Sequence, residues 1–127
     1  MAGAAITSES RPAVIPRLIT ADPAGLVEFI RVVFDARGES HADRPAEIRI
    51  GKSVIMVSDG SGLREAATGF LYVYVTDVDA AWRRALAAGA RSLEEPAEMP
   101  YGDRRAMVED SWGNTWQIAT PRRAPET

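Results

Sequence analysis

The feature that most constrains this chain is an internal repeat, in which the second half follows the pattern of the first at an offset of about 55 residues. Leu18–Asp22 aligns with Val73–Asp77, and Ile15 aligns with Phe70. In each half the pattern predicts a strand, a helix and then three strands. One helix covers one face of such a sheet, so the opposite faces of the two halves are free to close around a groove. The repeat therefore predicts an α+β fold with a concave, eight-stranded groove.

In the first half, residue signals mark where each element begins and ends. Asp22 followed by Pro23 predicts a helix start, because a carboxylate caps the first turn and a proline there misses no hydrogen bond. Apolar residues then recur at three- and four-residue spacing between residues 26 and 34, and Gly38 predicts the helix end. A tight turn at Gly51 joins two apolar runs into a hairpin. The predicted strands are Ala13–Thr20, Glu39–Asp43, Ala46–Ile50 and Ser53–Ser58.

The second half repeats these signals with more aromatic residues. Period two along Gly69–Val75 places Phe70, Tyr72 and Tyr74 on one strand face, which we expect to point into the groove. Asp77 predicts a helix start, and the helix should run through Ala88. We expect that helix to bury Val78, Trp82, Ala85 and Leu86. The remaining predicted strands are Arg91–Glu95, Asp103–Glu109 and Thr115–Thr120, with a loop over Pro96–Pro100.

Composition excludes several classes of function. The 127 residues carry a net charge of −3 and a pI of about 5.2, which argues against a nucleic-acid-binding protein. Cysteine is absent, so thiolate chemistry and disulfides are excluded. No apolar run approaches the roughly 20 residues that a membrane span needs. Residues 1–12 do not have the pattern of a signal peptide, so we expect a cytoplasmic protein with loose ends at 1–12 and 121–127. Residues 59–68 form a connector that is a candidate lid.

Four stretches together resemble the vicinal-oxygen-chelate superfamily, which contains glyoxalases, bleomycin-type resistance proteins, fosfomycin-modifying enzymes and ring-cleaving dioxygenases. The resemblance implies a single domain over residues 13–120, built from two βαβββ repeats at 13–59 and 69–120, and a homodimer. It does not identify a reaction, because the superfamily hosts many. The stretches are LITADPAGLVEFI (Leu18–Ile30), IRIGKSVIMVSD (Ile48–Asp59), YVTDVDAAWRRALAAGA (Tyr74–Ala90) and YGDRRAMVEDSWGNTWQIAT (Tyr101–Thr120).

Members of the superfamily usually hold a divalent metal through His, Glu or Gln on four inner strands. Carried over onto this chain, the first-strand positions are Ile15 and Phe70, which have no donor atom. The last strand of the first repeat offers Met56, or Ile55 in the alternative alignment, and neither suits such a cation. Only Gln117 has the required chemistry. We therefore expect neither a metal nor another cofactor.

The predicted groove is aromatic, with a few polar groups among the rings. Such a lining favours a planar aromatic ligand, because offset stacking adds about 0.5–1.5 kcal/mol per ring pair beyond area burial. The only histidine, His41, lies off this set and is expected at an edge or in solvent. The candidate ligand-binding residues are Ile15, Arg17, Met56, Phe70, Tyr72, Tyr74, Arg105, Met107, Trp112 and Gln117.

Three hypotheses follow. The first is a metal-free binding protein that sequesters or carries a planar aromatic natural product or antibiotic, as bleomycin-type resistance proteins do. The second is a metal-independent lyase or isomerase in which Tyr72 or Tyr74 is the acid/base, Glu109 is the base, and Arg17 or Arg105 holds an anion. The third is an interaction module whose own side chains fill the groove. Equilibrium binding with the compound recovered unchanged supports the first hypothesis. Turnover that survives a chelator supports the second, and a fully packed groove supports the third.

Overall fold

A computed structural model describes residues 12–59 and 66–122. The chain divides between Thr68 and Gly69 into two compact units, which we call the first and second modules. The described elements confirm an α+β fold with one helix and one sheet in each module. Residues 1–11, 60–65 and 123–127 lie outside the description, so the loose ends and the lid stay predictions. The elements are β1 (Arg17–Ile19), α1 (Pro23–Phe34), β2 (Ala46–Ile50), β3 (Ser53–Ser58), β4 (Phe70–Tyr74), α2 (Val78–Ala87), β5 (Arg91–Glu98), β6 (Asp103–Glu109) and β7 (Thr115–Pro121).

The sheet of the first module has the order β1-β3-β2, with β1 parallel and β2 antiparallel to the central β3. Asp22 caps α1 as predicted, accepting a hydrogen bond from the Gly25 amide at 3.1 Å. Strand β1 is shorter than the predicted Ala13–Thr20, and Val14 is 80% exposed. Pro16 lacks an amide hydrogen, which keeps the residues before it out of a full ladder. The side chains that α1 buries are Leu26, Val27, Phe29, Ile30, Val33 and Phe34.

Two predictions near the end of α1 are wrong. The helix ends at Asp35, in the left-handed conformation at φ 53°, and not at Gly38. Gly38 is needed further on, where the backbone runs close to β2: a β-carbon there would lie 2.5 Å from the carbonyl oxygen of Glu47. The predicted strand over residues 39–43 does not form. A single antiparallel bridge between Arg37 and Arg49 occupies the corresponding edge of the sheet.

The sheet of the second module has the order β4-β7-β6-β5, in which β4 runs parallel to β7 and the other pairs are antiparallel. Trp116 and Ile118 on β7 are fully buried, as the alternation of that strand predicts. Helix α2 buries Val78, Ala81 and Ala85. The predicted Trp82 and Leu86 are only half-buried, and the Trp82 indole reaches the edge strand β5, where its Nε1 donates to Ser92 Oγ at 3.1 Å. Neither described helix has the length and apolarity to cross a membrane.

Strand β5 continues to Glu98, through the region predicted to be a loop. It lies at the edge of the sheet, where Pro96 removes no necessary hydrogen bond. Its register against β6 shifts between Ser92 and Glu94, and again between Glu94 and Ala97. These irregularities bend the edge strand without interrupting the sheet.

The turn between β6 and β7 is built around the buried carboxylate of Asp110. Its Oδ1 accepts hydrogen bonds from the backbone amides of Trp112 and Asn114, both at 2.9 Å. Its Oδ2 accepts from Asn114 Nδ2 at 2.9 Å and from Trp116 Nε1 at 2.8 Å. The Asn114 side-chain oxygen accepts from the Gly69 amide at 2.8 Å, next to the start of β4. One carboxylate therefore fixes the hairpin, the core tryptophan and the entry to the first strand of the module.

Candidate functional site

The face of the second sheet opposite α2 carries an exposed aromatic patch. Phe70 and Tyr74 on β4 are 70% and 58% exposed, and Tyr72 between them is 38% exposed. Tyr101, in the turn before β6, is 60% exposed. Contiguous exposed aromatic area of this kind is typical of binding surfaces. We call this surface, defined by Phe70, Tyr72, Tyr74 and Tyr101, the aromatic face.

Strand register places most of the predicted second-module site residues on this face. Tyr72 lies opposite Gln117, which in turn lies opposite Met107. Two residues along each strand, Tyr74 and Arg105 lie on either side of Ala119. At the other end of the face, Phe70 and Glu109 flank Thr115. Period-two reasoning from the sequence therefore assigned these residues to the correct face.

Asp103 is the centre of a hydrogen-bonded network over the aromatic face. Its Oδ2 accepts from the hydroxyls of Tyr72 at 2.6 Å and Tyr74 at 2.9 Å. The Tyr72 hydroxyl also lies 2.9 Å from the Tyr101 hydroxyl. Because the single proton of Tyr72 goes to Asp103, Tyr101 is the donor in that contact. Arg105 completes the chain by donating from Nη1 to the Tyr101 oxygen at 3.2 Å.

The arginines of this face are already paired with carboxylates. Arg105 Nη2 lies 3.0 Å from Glu94 Oε2, and Arg91 Nη2 lies 2.8 Å from Glu109 Oε1. Arg105 and Glu109, which lie on the same face of β6, therefore pair with different partners and not with each other. The register shift in β5 contributes, because it brings Glu94 opposite Met107 and beside Arg105. Arg105 Nε is buried and has no partner among the described residues.

The network holds both tyrosines in their neutral form. Partial burial, followed by the hydrogen bond to Asp103, raises the pKa of Tyr72 far above its usual range. The hydrogen bond to Asp103 is the main cause that raises the pKa of Tyr74. The hydrogen bond to Glu94 raises the pKa of Arg105. Tyr72 and Tyr74 are therefore hydrogen-bond donors at neutral pH, not bases.

The remaining predicted site residues lie elsewhere. In the first module, Arg17 is exposed at the start of β1 and lies opposite the half-buried Met56, while Ile15 is half-buried just before the strand. Trp112 is half-buried in the β6–β7 turn, beyond the ends of the strands that carry the aromatic face. His41 lies in a loop and not on a strand edge, and it is half-buried.

The chemistry of the implied metal positions does not fit a divalent cation. Of the four positions carried over, Ile15 and Phe70 offer no donor, and Met56 offers only a thioether. The amide oxygen of Gln117 is the only suitable ligand atom of the set. Within residues 12–59 and 66–122, no three His, Cys, Asp or Glu side chains are grouped as a metal site would require.

A concave region of about 500 Å³ lies at the start of α2, on the other side of the sheet from the aromatic face. Several of its polar groups are already bonded within the protein. Arg104 binds Asp79 through two hydrogen bonds of 2.9 Å, and the Val78 amide donates to Thr120 Oγ1 at 3.0 Å. We therefore place the candidate site on the aromatic face.

Sequence reasoning missed three residues of the network: Tyr101, Asp103 and Glu94. Asp103 lies at the same alternate positions of β6 as Arg105, Met107 and Glu109. The two-residue period that placed those three on the aromatic face therefore also predicts Asp103 there. Tyr101 precedes the strand and reaches the face only because the chain turns tightly between Met99 and Gly102, where the Gly102 amide donates to the Met99 carbonyl at 3.0 Å. Glu94 depends on the register shift, which no local sequence signal revealed.

Comparison with known proteins identifies related chains. The model of the Glyoxalase/Bleomycin resistance protein/Dioxygenase superfamily matches residues 14–118. An uncharacterised protein of Mycobacterium bovis is 30% identical over 129 residues, covering 88% of this chain and 85% of its own. An uncharacterised protein of Mycobacterium tuberculosis has the same identity and covers 88% of this chain and 76% of its own.

Solved structures share the fold. TioX from Micromonospora sp. ML1 has a TM-score of 0.72 at 24% identity, covering 87% of this chain and 99% of its own. A glyoxalase/bleomycin resistance protein/dioxygenase family enzyme from Burkholderia phytofirmans PsJN has a TM-score of 0.69 at 21% identity, covering 83% and 94%. At these identities the likeness concerns the fold alone.

Proposed function

Because the chain belongs to the glyoxalase/bleomycin resistance protein/dioxygenase superfamily, we propose that it is a metal-free small-molecule-binding protein that sequesters or carries a planar aromatic compound. The observation that carries the proposal is the aromatic face. Three aromatic side chains on β4 and a fourth, Tyr101, from the turn before β6 lie exposed on one side of the sheet. A flat ring that stacks on Phe70 or Tyr74 gains about 0.5–1.5 kcal/mol per pair in addition to area burial.

Rigid placement of the rings supports binding, because little ordering is then needed when a ligand arrives. The Tyr72 and Tyr74 rings lie 5.4 Å apart at an angle of 60°, and both hydroxyls are bound to Asp103. Gln117 and Met107 lie beside them in the same register row. An amide supplies one directional hydrogen bond, and a thioether adapts to irregular ligand shapes.

The proposal is tested by equilibrium binding of planar aromatic compounds, followed by isothermal calorimetry in buffer with chelator. We expect binding that survives the chelator and a compound that is recovered unchanged. Phe70→Ala should weaken binding about tenfold, since it removes one stacking partner and its buried area. Val14→Ala, at an exposed site in the first module, is the control that should not alter affinity. Stoichiometric metal that is required for binding would overturn the proposal.

The contacts support catalysis less well than binding. For the alternative, a metal-independent enzyme, Tyr72 and Tyr74 would have to exchange protons, yet both are held as neutral donors. Glu109 would have to act as a base, yet it is ion-paired with Arg91 at 2.8 Å. Turnover that persists with chelator and fails in Glu109→Gln would favour the enzyme. Recovery of unaltered compound from each member of a panel of small carbonyl and aromatic substrates would favour the binding protein.

A homodimer in the cytoplasm, binding an antibiotic or other natural product, completes the proposal. The superfamily resemblance motivates it. Native mass spectrometry of protein from its own producer would report the subunit count, the metal content and any retained compound in one measurement. A monomer at micromolar concentration would contradict the dimer without affecting the binding site of the second module.

A further inference from the structure

The Asp103 carboxylate has one oxygen that no described residue satisfies. Both tyrosine hydrogen bonds go to Oδ2, and Oδ1 receives none. Asp103 as a residue is only 7% exposed. The buried polar side-chain atoms without a partner among the described residues are Ser58 Oγ and Arg105 Nε, so Asp103 Oδ1 still reaches solvent. Among the described residues it is a free acceptor on a carboxylate whose other oxygen is held by the Tyr72 and Tyr74 hydroxyls.

The charges on this face do not balance. Its carboxylates are Glu94, Asp103 and Glu109, whereas its guanidinium groups are Arg91 and Arg105. Each arginine is within 3.0 Å of one carboxylate, and these two pairs leave Asp103 without a cation among the described residues. The two phenol groups that bond to it carry no charge of their own. Counted over residues 12–59 and 66–122, the face therefore carries one more carboxylate than guanidinium groups beside four exposed rings.

Both features favour the same kind of ligand group. A cation over the face of an aromatic ring, within about 6 Å of its centroid, gains about 0.5–1 kcal/mol even at exposed sites. A protonated nitrogen also makes a charge-assisted hydrogen bond to a carboxylate, roughly twice as strong as a neutral one. Tyr72 and Tyr74 converge on Asp103, so one nitrogen can lie against a ring and bond to Oδ1. A carboxylate or phosphate would meet repulsion there, since Arg105 is already paired with Glu94.

We propose that the aromatic face recognises a compound whose planar ring system carries a protonated amine, with Asp103 Oδ1 as the anchor for that nitrogen and the exposed rings stacking the remainder. This assignment rests on the proposed binding function and adds the charge of the ligand to it. It also excludes Arg105 as the anchor of an anionic ligand. The class is thus an aromatic ammonium compound, in preference to a neutral or acidic one of the same shape.

Three probes of matched shape test the assignment: 2-naphthylmethylamine, 2-naphthylmethanol and 2-naphthoic acid, each titrated into the full chain at pH 7 and moderate salt. We expect the amine to bind about tenfold more tightly than the alcohol, the value of one charge-assisted hydrogen bond, and the acid more weakly than both. Raising the salt concentration should reduce the advantage of the amine and leave the alcohol unchanged.

Two variants assign the preference to Asp103. In Asp103→Asn the ratio of amine to alcohol affinity should fall towards one, whatever the absolute affinities are. In Tyr74→Phe the ratio should rise by a few fold, because the carboxylate loses one phenol donor and gains more from the ligand. General damage to the face would lower both affinities and leave the ratio unchanged. Glu28→Gln, at an exposed position on α1, serves as the charge-matched control.

The outcomes separate the two proposals. Equal binding of amine, alcohol and acid would overturn the assignment of ligand charge and leave the proposed aromatic-binding function standing. A preference for the amine that persists in Asp103→Asn would overturn Asp103 as the anchor. Failure of all three probes to bind at millimolar concentration would overturn the proposed function together with the inference.

Discussion

The Tyr72 hydroxyl lies 2.6 Å from Oδ2 of Asp103, on the face of the second sheet opposite its helix. This contact orders the site, because Asp103 also binds Tyr74 and Tyr72 also contacts Tyr101. The hydrogen-bonded chain continues from Tyr101 to Arg105 and from Arg105 to Glu94. The three tyrosine rings of the aromatic face are consequently held in place without any contact from a ligand.

The same contact predicts how stability depends on alkaline pH. The pKa values of Tyr72 and Tyr74 are raised in the folded state, so the unfolded chain releases these protons first. Stability should be constant below the unfolded tyrosine pKa of about 10 and should fall as the pH rises above it. Urea unfolding between pH 8 and 11 measures this. The double variant Tyr72→Phe/Tyr74→Phe should show a smaller fall, and an equal fall would contradict the prediction.

At acidic pH, the stability of the fold should depend on a different residue, Asp79. Two hydrogen bonds from Arg104 lower the pKa of Asp79. Its contribution to stability is present above the unfolded pKa of about 4 and is lost as the pH falls through the lower folded value. We expect Asp79→Asn to be less stable than the wild-type chain at pH 7, with the difference closing below pH 3. A difference that persists unchanged at pH 2 would show that the aspartate acts by packing alone. The exposure of both side chains keeps the effect small.

The Asp110 carboxylate is expected to be the most sensitive polar group in the second module. Asp110→Asn keeps the size but turns an amide nitrogen or a neutral oxygen towards four donors. We expect a loss of about 3 kcal/mol in the free energy of unfolding, from unmatched buried hydrogen bonds. Ser111→Ala, on the exposed side of the same turn, should change it by less than about 0.5 kcal/mol. Denaturant unfolding followed by the fluorescence of the buried Trp116 provides the measurement, and equal effects of the two variants would refute this role.

A comparison of alanine variants at Gly38 and Gly51 distinguishes the cost of a strained backbone from the cost of a steric clash. Gly38→Ala would place a β-carbon 2.5 Å from the carbonyl oxygen of Glu47 and 2.8 Å from Ile48 Cδ1, in a positive-φ conformation. Gly51→Ala has a positive φ of 56° as well, but its β-carbon would meet no atom within 4 Å. We expect losses of about 3 kcal/mol and about 1 kcal/mol respectively in unfolding free energy. Comparable midpoints for the two variants in urea would show that the close approach at Gly38 relaxes easily.

Local patterns in the sequence predicted the elements and their faces because period and capping act over a few residues. The caps at Asp22 and Asp77, and the alternation that buries Trp116, follow from such rules. The errors arise where contacts distant in sequence decide. Gly38 was interpreted as a helix end, although its conformation is required by the passage of β2 beside it. Helix α2 buries Ala81 in place of the larger Trp82, which depends on how closely helix and sheet approach.

The site was predictable in part for the same reason. Strand parity placed Tyr72, Tyr74 and Gln117 on one face, but it gave no indication of which polar groups pair with which. The partner of Arg105 depends on a shifted register in β5, and the convergence of two hydroxyls on Asp103 depends on side chains that lean across a strand. These pairings determine the charge of the face, and hence the kind of ligand we infer for it.

The irregular edge strand β5 has a consequence for how the protein behaves when it is concentrated. A broad aromatic sheet surface invites self-association, and a straight edge would let neighbouring molecules extend the sheet into fibrils. Pro96 presents no amide hydrogen there, and the two register shifts break the even spacing that an incoming strand would need. The β5 border of the second sheet is thereby a poor template for growth of the sheet, whereas the exposed rings of Phe70, Tyr72 and Tyr74 lie on β4 at the opposite border.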